Sequence, residues 1–370
     1  MAQRDENSSL TAPAQATRPA TSRRGAPAAF AALDLGTNNC RLLVARALGH
    51  DFEVVDAFSR AVRLGEGVEV SGRLSEIAQD RAIKALRICA AKIRHHRVRH
   101  RRIVATEACR RAVNGAEFIA RVARETGLPL AVVSAEEEAR LAVAGCAPLI
   151  DPKAEQLLVF DIGGGSTELI WVDLSTTPPQ ERAMVVRALS PVGGLDTAAA
   201  RAAAARIADW ISLPMGVSTL NDRFAHIGCE RARYAAMADC FETALARFSP
   251  YAKRESTAIE RLQIIGVSGT ATTFGAIHLG LRSYDRKRVD GMWLPSARAL
   301  TLARRLLDMG ADGRSTCPGI GRGRADLVLS GAAILTTILS IWPVPSLRIA
   351  DRGLREGILY GLLQQHKLLG

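Results

Sequence analysis

One short pattern occurs twice in this chain and restricts the folds that it can adopt. An apolar run ends at an aspartate, a glycine stands two residues later, and a second apolar run begins. The copies read AALDLGTNNCRLLVAR, around Asp34, and LLVFDIGGGSTELIWVD, around Asp161. Each copy predicts two strands joined by a glycine-containing turn. Because similar elements follow both copies, the sequence predicts a duplicated α/β fold with two domains facing each other across a central cleft.

Further elements can be predicted from local patterns. Five strands are expected in the first half, at 29–33, 41–46, 52–57, 102–108 (RIVATEA) and 130–134 (LAVVS). A helix that Ser75 can cap follows the third of them. In the second half, RAMVVRALS (182–190) is a plausible third strand, and QIIGV (263–267) predicts a strand that leads into a Gly/Thr loop.

Composition limits the size and the partners of the protein. The chain has 370 residues, of which 48% are apolar, enough for the cores of two ordinary domains. The formal net charge of +12 favours anionic partners such as nucleic acid, an anionic membrane or a polyphosphorylated substrate, although an arginine-rich composition can also reflect a GC-rich genome. The seven cysteines form no CxxC pair and no apolar leader follows Met1, so we expect a reducing, cytoplasmic location.

Two segments bear on localisation. Residues 1–27 are rich in Ala, Thr, Ser, Pro and Arg and predict a disordered tail. The apolar run from Leu327 to Val344 is long enough to suggest a membrane span, but it contains serines and threonines and includes Pro343. It therefore predicts a buried core helix, and no membrane partner is expected.

The two turns suit phosphate binding. Successive N–H groups in a tight turn point into one concavity, which bulky side chains would obstruct. The segments GTNN (36–39) and GGGST (163–167) both fit this description. An aspartate before each turn would repel phosphate, so it is better explained as a ligand, direct or through water, of a bridging Mg²⁺. The alternative is a pair of plain hairpin turns in which each aspartate accepts local N–H bonds.

An acidic run, SAEEEARLAVAG, begins at Ser134 between a predicted strand and a helix. Ser134 and Glu137 are spaced as a capping box, and Glu136 suits the positive end of a helix. Glu138 is not needed for capping. Two interpretations remain from spacing alone: Glu138 lies on a solvent-exposed helix face, or it lies near the cleft and deprotonates an attacking water.

Two basic features follow predicted secondary structure. Arg110 and Arg111 come shortly after the strand IVAT, so one of them is a candidate for binding phosphate, or both belong to a solvated helix start. The denser run Lys92–Arg102, KIRHHRVRHRR, is interpreted as a solvated helix end and loop that also contributes electrostatic steering. RNA binding is the alternative, but no stacking aromatic is interleaved.

Seven motifs together resemble those of the exopolyphosphatase/guanosine pentaphosphate phosphatase (Ppx/GppA) family. They are ALDLGTNNCRLLVAR, ATEACRRAVNG, SAEEEARLAVAG, VFDIGGGSTELI, SLPMGVSTL, GVSGTATTFGAI and DRGLREGILYG, and they extend from about Phe30 to Leu363. The resemblance implies a duplicated actin-like, ribonuclease-H-like (ASKHA) fold. It implies domain I at 28–137 and domain II at 138–352, with a C-terminal helix at about 353–368 that packs back on domain I.

The resemblance also implies roles for individual residues. Glu138, directly before Ala139 and Arg140, corresponds to the catalytic base, which favours the second interpretation above. Asp161 and Glu168 would hold Mg²⁺, with Asp34 as a further ligand. The residues implied in phosphate or substrate binding are Gly36, Thr37, Asn38, Asn39, Arg110, Gly163, Gly164, Gly165, Ser166, Ser268, Gly269 and Thr270.

The chain departs from the family pattern at several points. Ala135 stands where glycine is usual, and Asn39 stands where serine is common. The segment between Val172 and Trp210 is longer than expected. The chain also stops soon after the GLREG motif, whereas long family members continue into a helical HD-type domain.

These observations lead us to expect an exopolyphosphatase that removes terminal phosphate from inorganic polyphosphate with Mg²⁺ and a Glu138-activated water. The alternatives are a guanosine pentaphosphate (pppGpp) phosphohydrolase, a sugar or acetate kinase of the same fold, and a non-enzymatic regulator that binds (p)ppGpp or RNA through Lys92–Arg102. Expected partners are inorganic polyphosphate or (p)ppGpp and a second copy of the chain in a homodimer.

Overall fold

The computed structural model of the chain describes residues 28–49, 51–192, 198–256, 258–320 and 324–366. The predicted disordered tail, residues 1–27, lies outside the described residues. So do residues 193–197, which belong to the segment that the sequence marked as long.

The first sheet is built from residues that precede the Asp161 motif. Its strands are β1 (Ala29–Leu35), β2 (Asn39–Leu48), β3 (Asp51–Ala61), β4 (His100–Ala105) and β5 (Ala131–Val132). Their spatial order is β3-β2-β1-β4-β5. Strand β1 pairs antiparallel with β2 and parallel with β4, and β4 pairs parallel with β5.

The second sheet repeats this arrangement. Its strands are β6 (Gln156–Ile162), β7 (Thr167–Asp173), β8 (Ile207–Leu213), β9 (Leu262–Val267), β10 (Trp293–Pro295) and β11 (Ser346–Ala350). Their spatial order is β10-β11-β9-β6-β7-β8. Without β10 at the edge, the order and the pairing directions match those of the first sheet, with β6 in the place of β1 and β9 in the place of β4. The duplicated, actin-like α/β fold predicted from the sequence is thus confirmed.

The helices lie mainly between and around these strands. Those of the first half are α1 (Val68–Ser71), α2 (Glu76–His95), α3 (Glu107–Arg111) and α4 (Gly115–Thr126). Helix α5 (Ala135–Gly145) connects the sheets. The second half contains α6 (Arg182–Arg187), α7 (Ala198–Ala204), α8 (Val217–Arg223), α9 (Glu230–Leu245), α10 (Ser249–Ala252), α11 (Ser268–His278), α12 (Arg286–Val289), α13 (Ser296–Asp308), α14 (Gly310–Thr316), α15 (Val328–Ile341) and α16 (Leu354–Gln365).

Helices cover both faces of the first sheet. Helix α2 begins after Ser75, whose Oγ accepts the N–H of Ala78 at 3.3 Å, as its N-cap position predicts. The apolar side of α2 packs into the core on one face of the sheet. On the other face, α16 buries Ile358 and Leu362 against strand residues that include Phe30. The C-terminal part of the chain therefore returns to the sheet in which the chain began.

Two glycines allow α5 and α16 to cross at backbone contact. A Cβ atom on Gly145 would collide with the carbonyl oxygen of Gly353, and a Cβ atom on Gly357 would collide with that of Leu141. Larger residues at either position would force the helices apart. This contact fixes the position of α5, the helix that carries Glu138.

Two local predictions were wrong. The expected strand at 182–190 is helix α6, because Arg182, Val186 and Leu189 are buried at helical rather than alternating spacing. The third strand of the second sheet is β8 instead. The segment after β9 is not a loop, since α11 begins directly at Ser268.

The apolar run from Leu327 to Val344 forms the buried helix α15, as expected. Within the ranges that the structure describes, no helix combines the length and the apolarity needed to cross a bilayer.

Candidate active site

A cleft of about 750 Å³ lies between the two sheets. Asp34, near the end of β1, and Asp161, near the end of β6, both line it. Equivalent strands of the two sheets thus end at one shared space. The two glycine turns, which follow these aspartates, line the same space.

The two turns are closed by the same backbone hydrogen bond. The N–H of Gly36 donates to the carbonyl oxygen of Asn39 at 2.9 Å, and the N–H of Gly163 donates to that of Ser166 at 2.9 Å. Among the described residues, no acceptor is found for the N–H groups inside either turn, which belong to Thr37, Asn38, Gly164 and Gly165. Peptide N–H groups that are unpaired in a tight turn attract anionic oxygens. Both turns are therefore suited to phosphate.

The turns touch each other across the cleft. A Cβ atom on Gly164 would lie 2.7 Å from Nδ2 of Asn38 and 3.1 Å from Cβ of Thr37. A Cβ atom on Gly165 would lie 2.9 Å from Oγ1 of Thr37. The hydroxyl of Ser218 donates to Oδ1 of Asn38 at 3.1 Å and thereby links α8 to the first turn. Glycine is required in the second turn because the first turn occupies the space of a side chain.

Asp161, which is half-buried, and Glu168, which is buried, form a carboxylate pair beside the second turn. They lie directly opposite each other in the β6–β7 ladder, so their side chains share one face of the sheet. Ser212 donates to Oε1 of Glu168 at 2.8 Å. Burial raises the pKa of Asp161 to about 6, with Arg41 opposing and Asp34 adding to the shift. Burial, followed by the charge of Asp161, raises the pKa of Glu168 to about 7.

Asp34 has a different cross-strand partner. In the β1–β2 ladder it lies opposite Arg41, the position that corresponds to Glu168 in the second sheet. Burial raises the pKa of Asp34, and Arg41 opposes this shift. Arg41 lines the cleft, and no side-chain hydrogen bond or ion pair from it is found in the described part of the chain. Our sequence reasoning missed Arg41, although its spacing from Asp34 equals that of Glu168 from Asp161.

The carboxylates beside the second turn are of the type that Mg²⁺ uses as ligands. Among the described residues, no three or more His, Cys, Asp and Glu side chains form a complete metal cage. Mg²⁺ commonly uses one or two carboxylates and takes its remaining ligands from water and phosphate oxygens. The raised pKa values of Asp161 and Glu168 reflect buried negative charge that a cation would neutralise.

The three consecutive glutamates at the start of α5 lie in different environments. Ser134 Oγ accepts the N–H of Glu137 at 3.1 Å, so the predicted N-cap is correct. The capping box is not, because the Glu137 carboxylate pairs with Arg102. Glu136 lies 3.6 Å from Arg140 one turn later. Glu138 lines the cleft with 14% of its side chain exposed, which contradicts the interpretation of a solvent-exposed helix face.

Arg110 lies between two glutamates. Its Nη1 donates to Glu138 Oε2 at 2.7 Å and to the carbonyl oxygen of Val133 at 2.9 Å. Its Nη2 donates to Glu107 Oε2 at 2.8 Å. Arg110 therefore faces the candidate base and not the phosphate turns in this structure, while Arg111 pairs with Glu69 at 2.6 Å. Glu107, which lines the cleft beside Gly165, was not identified from the sequence.

The groups around Glu138 shift the pKa of its carboxyl group in both directions. Burial is the main cause that raises the pKa of Glu138 well above its ordinary value, and the nearby charge of Glu168 adds to it. Arg110 acts in the opposite direction through its charge and its hydrogen bond. The opposing effects of burial, Glu168 and Arg110 together set the basicity of Glu138, the glutamate of α5 that lines the cleft.

The segment Ser268–Thr270 begins α11 and lines the cleft. Ser268 has φ of 76°, a left-handed conformation that is uncommon for a residue with a side chain. Arg324 Nη1 approaches Thr273 Oγ1 at 3.3 Å, and it also lines the cleft. All three predicted residues of this segment are thus in the same cleft as the two turns.

The motif DRGLREG forms part of the cleft wall, although we assigned it no role from the sequence. The segment 351–356 lines the cleft. Arg352 is held by Asp290 through Nη2 at 2.6 Å, and Glu356 accepts the N–H of Gly353 at 2.9 Å. For the Arg355 side chain, no hydrogen bond or ion pair is found among the described residues, so its charge is available in the cleft.

One end of the cleft is less polar than the turns. It is lined by apolar side chains together with Arg282 and Arg324; the apolar residues are Ala276, Leu281, Ile320, Leu327 and Val328. A chain of phosphates has no apolar surface to bury there. This compartment suits a ligand that carries a ring system as well as phosphate.

The chain is similar in sequence and fold to known proteins. A model of the Ppx/GppA phosphatase family matches residues 43–366. The solved structure of an exopolyphosphatase-like protein is 27% identical, with a TM-score of 0.75 over 92% of this chain and 100% of that chain. A Ppx/GppA family member of Aquifex aeolicus is 25% identical, with a TM-score of 0.70 over 92% and 98% of the two chains. An exopolyphosphatase from Cytophaga hutchinsonii is similar in fold, at 23% identity and a TM-score of 0.74 over 91% and 98%.

Proposed function

Since this chain belongs to the Ppx/GppA phosphatase family, we propose that it hydrolyses the terminal phosphoanhydride bond of inorganic polyphosphate and releases orthophosphate. The observation that carries the proposal is the pair of matching turns. Both turns line one cleft, their inner N–H groups have no acceptor among the described residues, and Glu138 lines the same cleft.

The linear anion would lie between the turns. The inner N–H groups of the first turn bind oxygens of one side, and those of the second turn bind oxygens of the other. Arg41 and Arg355 contribute positive charge from the cleft wall. Catalysis of phosphoryl transfer consists mainly of positioning and electrostatic stabilisation, which such a set of fixed donors can supply.

Glu138 acts as the general base. A water in the cleft gives a proton to Glu138, and its oxygen attacks the terminal phosphorus from the side opposite the bridging oxygen. The bond between this phosphorus and the bridging oxygen breaks, so that orthophosphate and a chain shortened by one phosphate are released. Arg110 holds Glu138 in place and opposes its protonation in the resting site.

Asp161 and Glu168, with Asp34 as a further candidate, would hold Mg²⁺, which when bound neutralises charge on the phosphate oxygens. The carboxylates themselves would otherwise repel the substrate. Asp161 and Glu168 lie in the strands on either side of the second turn and not within it, so the N–H groups of Gly164 and Gly165 would stay available to the anion.

A second candidate function is removal of the terminal phosphate of pppGpp. The apolar compartment around Leu281 and Ile320 favours it, because a purine ring could be buried there while the phosphates reach the turns. Arg282 and Arg324 at the same end are suited to further phosphate groups.

Separate assays with the two substrates test these assignments. The purified protein is incubated with Mg²⁺ and either polyphosphate of defined length or pppGpp, without any acceptor, and orthophosphate is measured. We expect release from polyphosphate with the larger kcat/KM. A larger kcat/KM for pppGpp would establish the second candidate instead. A kinase of the same fold would release no orthophosphate at a useful rate without an acceptor.

A further inference from the structure

A cluster of arginines lies at the end of the first sheet that is remote from the cleft. We call Arg94, Arg97, Arg99 and Arg101 the basic turn; they come from the end of α2, the following loop and the start of β4, and all are exposed. Strand β4 pairs in parallel with β1, with His100 opposite Phe30 and Val104 opposite Asp34. The basic turn therefore lies roughly 15 Å from Asp34 along the strand direction.

The basic turn has no acidic partner in the part of the chain that the structure describes. Other cations of this segment are paired, since Lys92 binds Asp56 at 2.8 Å and Arg102 binds Glu137. In contrast, no ion pair or side-chain hydrogen bond is found between the four arginines of the basic turn and any described residue. Four positive charges are thus available to an external anion.

The backbone of the basic turn is well fixed. The N–H of Arg97 donates to the carbonyl oxygen of Arg94 at 3.0 Å, and the N–H of Val98 donates to that of Ile93 at 3.1 Å. Ile93 and Val98 belong to the same buried cluster, and the two hydrogen bonds form a Schellman motif. The N–H of Arg99 then donates to Ala29 at 3.1 Å and ties the loop to β1.

Arg97 occupies the one position of this motif at which folding alone favours glycine. Its φ is 50°, in the left-handed region. A glycine there would remove the conformational cost without loss of a protein contact. An arginine at such a position is explained more readily by its charge than by the stability of the helix end.

The residue types around the basic turn favour a phosphate polymer without nucleobases over RNA. The segment Lys92–Arg102 contains no Phe, Tyr or Trp. Surfaces that bind single-stranded RNA usually combine cations with aromatic side chains on which bases stack. A polymer that consists of phosphate alone needs only the charges.

We propose that the basic turn is a second binding site for long-chain inorganic polyphosphate, separate from the cleft that receives the chain end. The proposal rests on the proposed function, because the same polymer must be the substrate of the cleft. Binding at the remote site keeps the free end of a long chain near the cleft and raises its effective concentration. Long chains should therefore have a lower KM than short chains, with a similar kcat.

Matched variants test this site. In one, Arg94, Arg97, Arg99 and Arg101 are all replaced by Gln; in the control, four exposed arginines of the second half are replaced by Gln, namely Arg247, Arg298, Arg304 and Arg305. For the first variant we expect KM for long chains to rise by about tenfold, with kcat retained. KM for tripolyphosphate should change no more than in the control. An equal long-chain KM in both variants would overturn the proposal.

The variant Arg97→Gly distinguishes a role of Arg97 in polyphosphate binding from a role in the stability of the fold. We expect this variant to melt at the same temperature as the wild type or higher, since glycine suits the backbone at this position. Its long-chain KM should nevertheless rise, by a smaller factor than in the fourfold variant. A lower melting temperature together with an unchanged KM would show a structural role only and would contradict the proposal.

Direct binding distinguishes failure of this proposal from failure of the proposed function. In the Glu138→Gln background, affinity for long-chain polyphosphate should fall by about tenfold or more when the basic turn is neutralised, and its dependence on salt should become shallower. If the wild type hydrolysed no polyphosphate, the proposed function would fail, and polyphosphate binding that disappears with the basic turn would still support the site. If neutralisation of the basic turn abolished binding to an RNA oligonucleotide but left polyphosphate binding unchanged, the proposed polyphosphate site would be overturned.

Discussion

The guanidinium of Arg110 donates a hydrogen bond of 2.7 Å to the carboxylate of Glu138, which lies 28 positions later in the sequence. The opposite side of the same guanidinium is held by Glu107 at 2.8 Å. The candidate base is thus connected to the end of the first sheet through α3, while its own helix crosses α16. Both attachments restrict the direction of the Glu138 side chain.

Arg110→Gln tests this connection. Arg110 lowers the pKa of Glu138, so its removal should raise that pKa further. The acid limb of the pH–rate profile should move to higher pH, and activity at neutral pH should fall but recover partly under alkaline conditions. Arg111→Gln is the control, because Arg111 pairs with Glu69 instead. A raised KM with an unshifted pH profile would indicate that Arg110 binds phosphate and does not support the base.

Asp161→Asn should stabilise the protein in the absence of metal. The pKa of Asp161 is about 6 in the folded protein and 3.8 in its ordinary state, so the folded protein binds a proton more tightly than the unfolded chain. This contribution to the free energy of unfolding is present at low pH and is lost as pH rises through about 4 to 6. With EDTA at pH 7.5, the variant should therefore melt at a higher temperature than the wild type.

The same variant should respond weakly to Mg²⁺. At pH 7.5, addition of Mg²⁺ should clearly raise the melting temperature of the wild type and should raise that of Asp161→Asn by less. At pH 4 in EDTA, the two proteins should differ less than at pH 7.5. A variant that melts below the wild type in EDTA at pH 7.5 would contradict the assignment of uncompensated charge to this carboxylate.

Gly164→Ala tests the contact between the two turns. The added methyl group would lie 2.7 Å from Asn38 and 3.1 Å from Thr37, so the turns must separate. We expect a higher KM for polyphosphate and a destabilisation of about 1–3 kcal/mol, typical of overpacking. Gly228→Ala is the matched control, because a Cβ atom at that position meets no neighbour within 4 Å. Equal kinetics in the two variants would argue against joint binding of one anion by both turns.

The sequence was sufficient to predict the fold because its signals are local and repeated. Each copy of the Asp-x-Gly pattern specifies two strands and a turn without reference to the rest of the chain. Since equivalent strands must end at equivalent places, the repetition also predicted that Asp34 and Asp161 share one cleft. The seven motifs, taken together, then identified the family.

Other features depend on tertiary contacts and were not accessible in this way. The run RAMVVRALS has adjacent β-branched residues, yet burial of Arg182 and Val186 on one side makes it helical. Spacing alone could not decide between two environments for Glu138, because the answer depends on the crossing of α5 with α16. Glu107 and Arg355 belong to the cleft only through the arrangement of α3 and α16 around it.

The most direct test of the account is a comparison of wild type and Glu138→Gln on polyphosphate and pppGpp with Mg²⁺, in which turnover and substrate affinity are measured separately. Because Gln cannot accept the proton of the attacking water, kcat should fall by about 10²- to 10⁴-fold. The affinity for substrate should stay close to that of the wild type, since the turns and the carboxylate pair are unchanged. A variant that retains kcat on either substrate would contradict the assignment of Glu138 as the base.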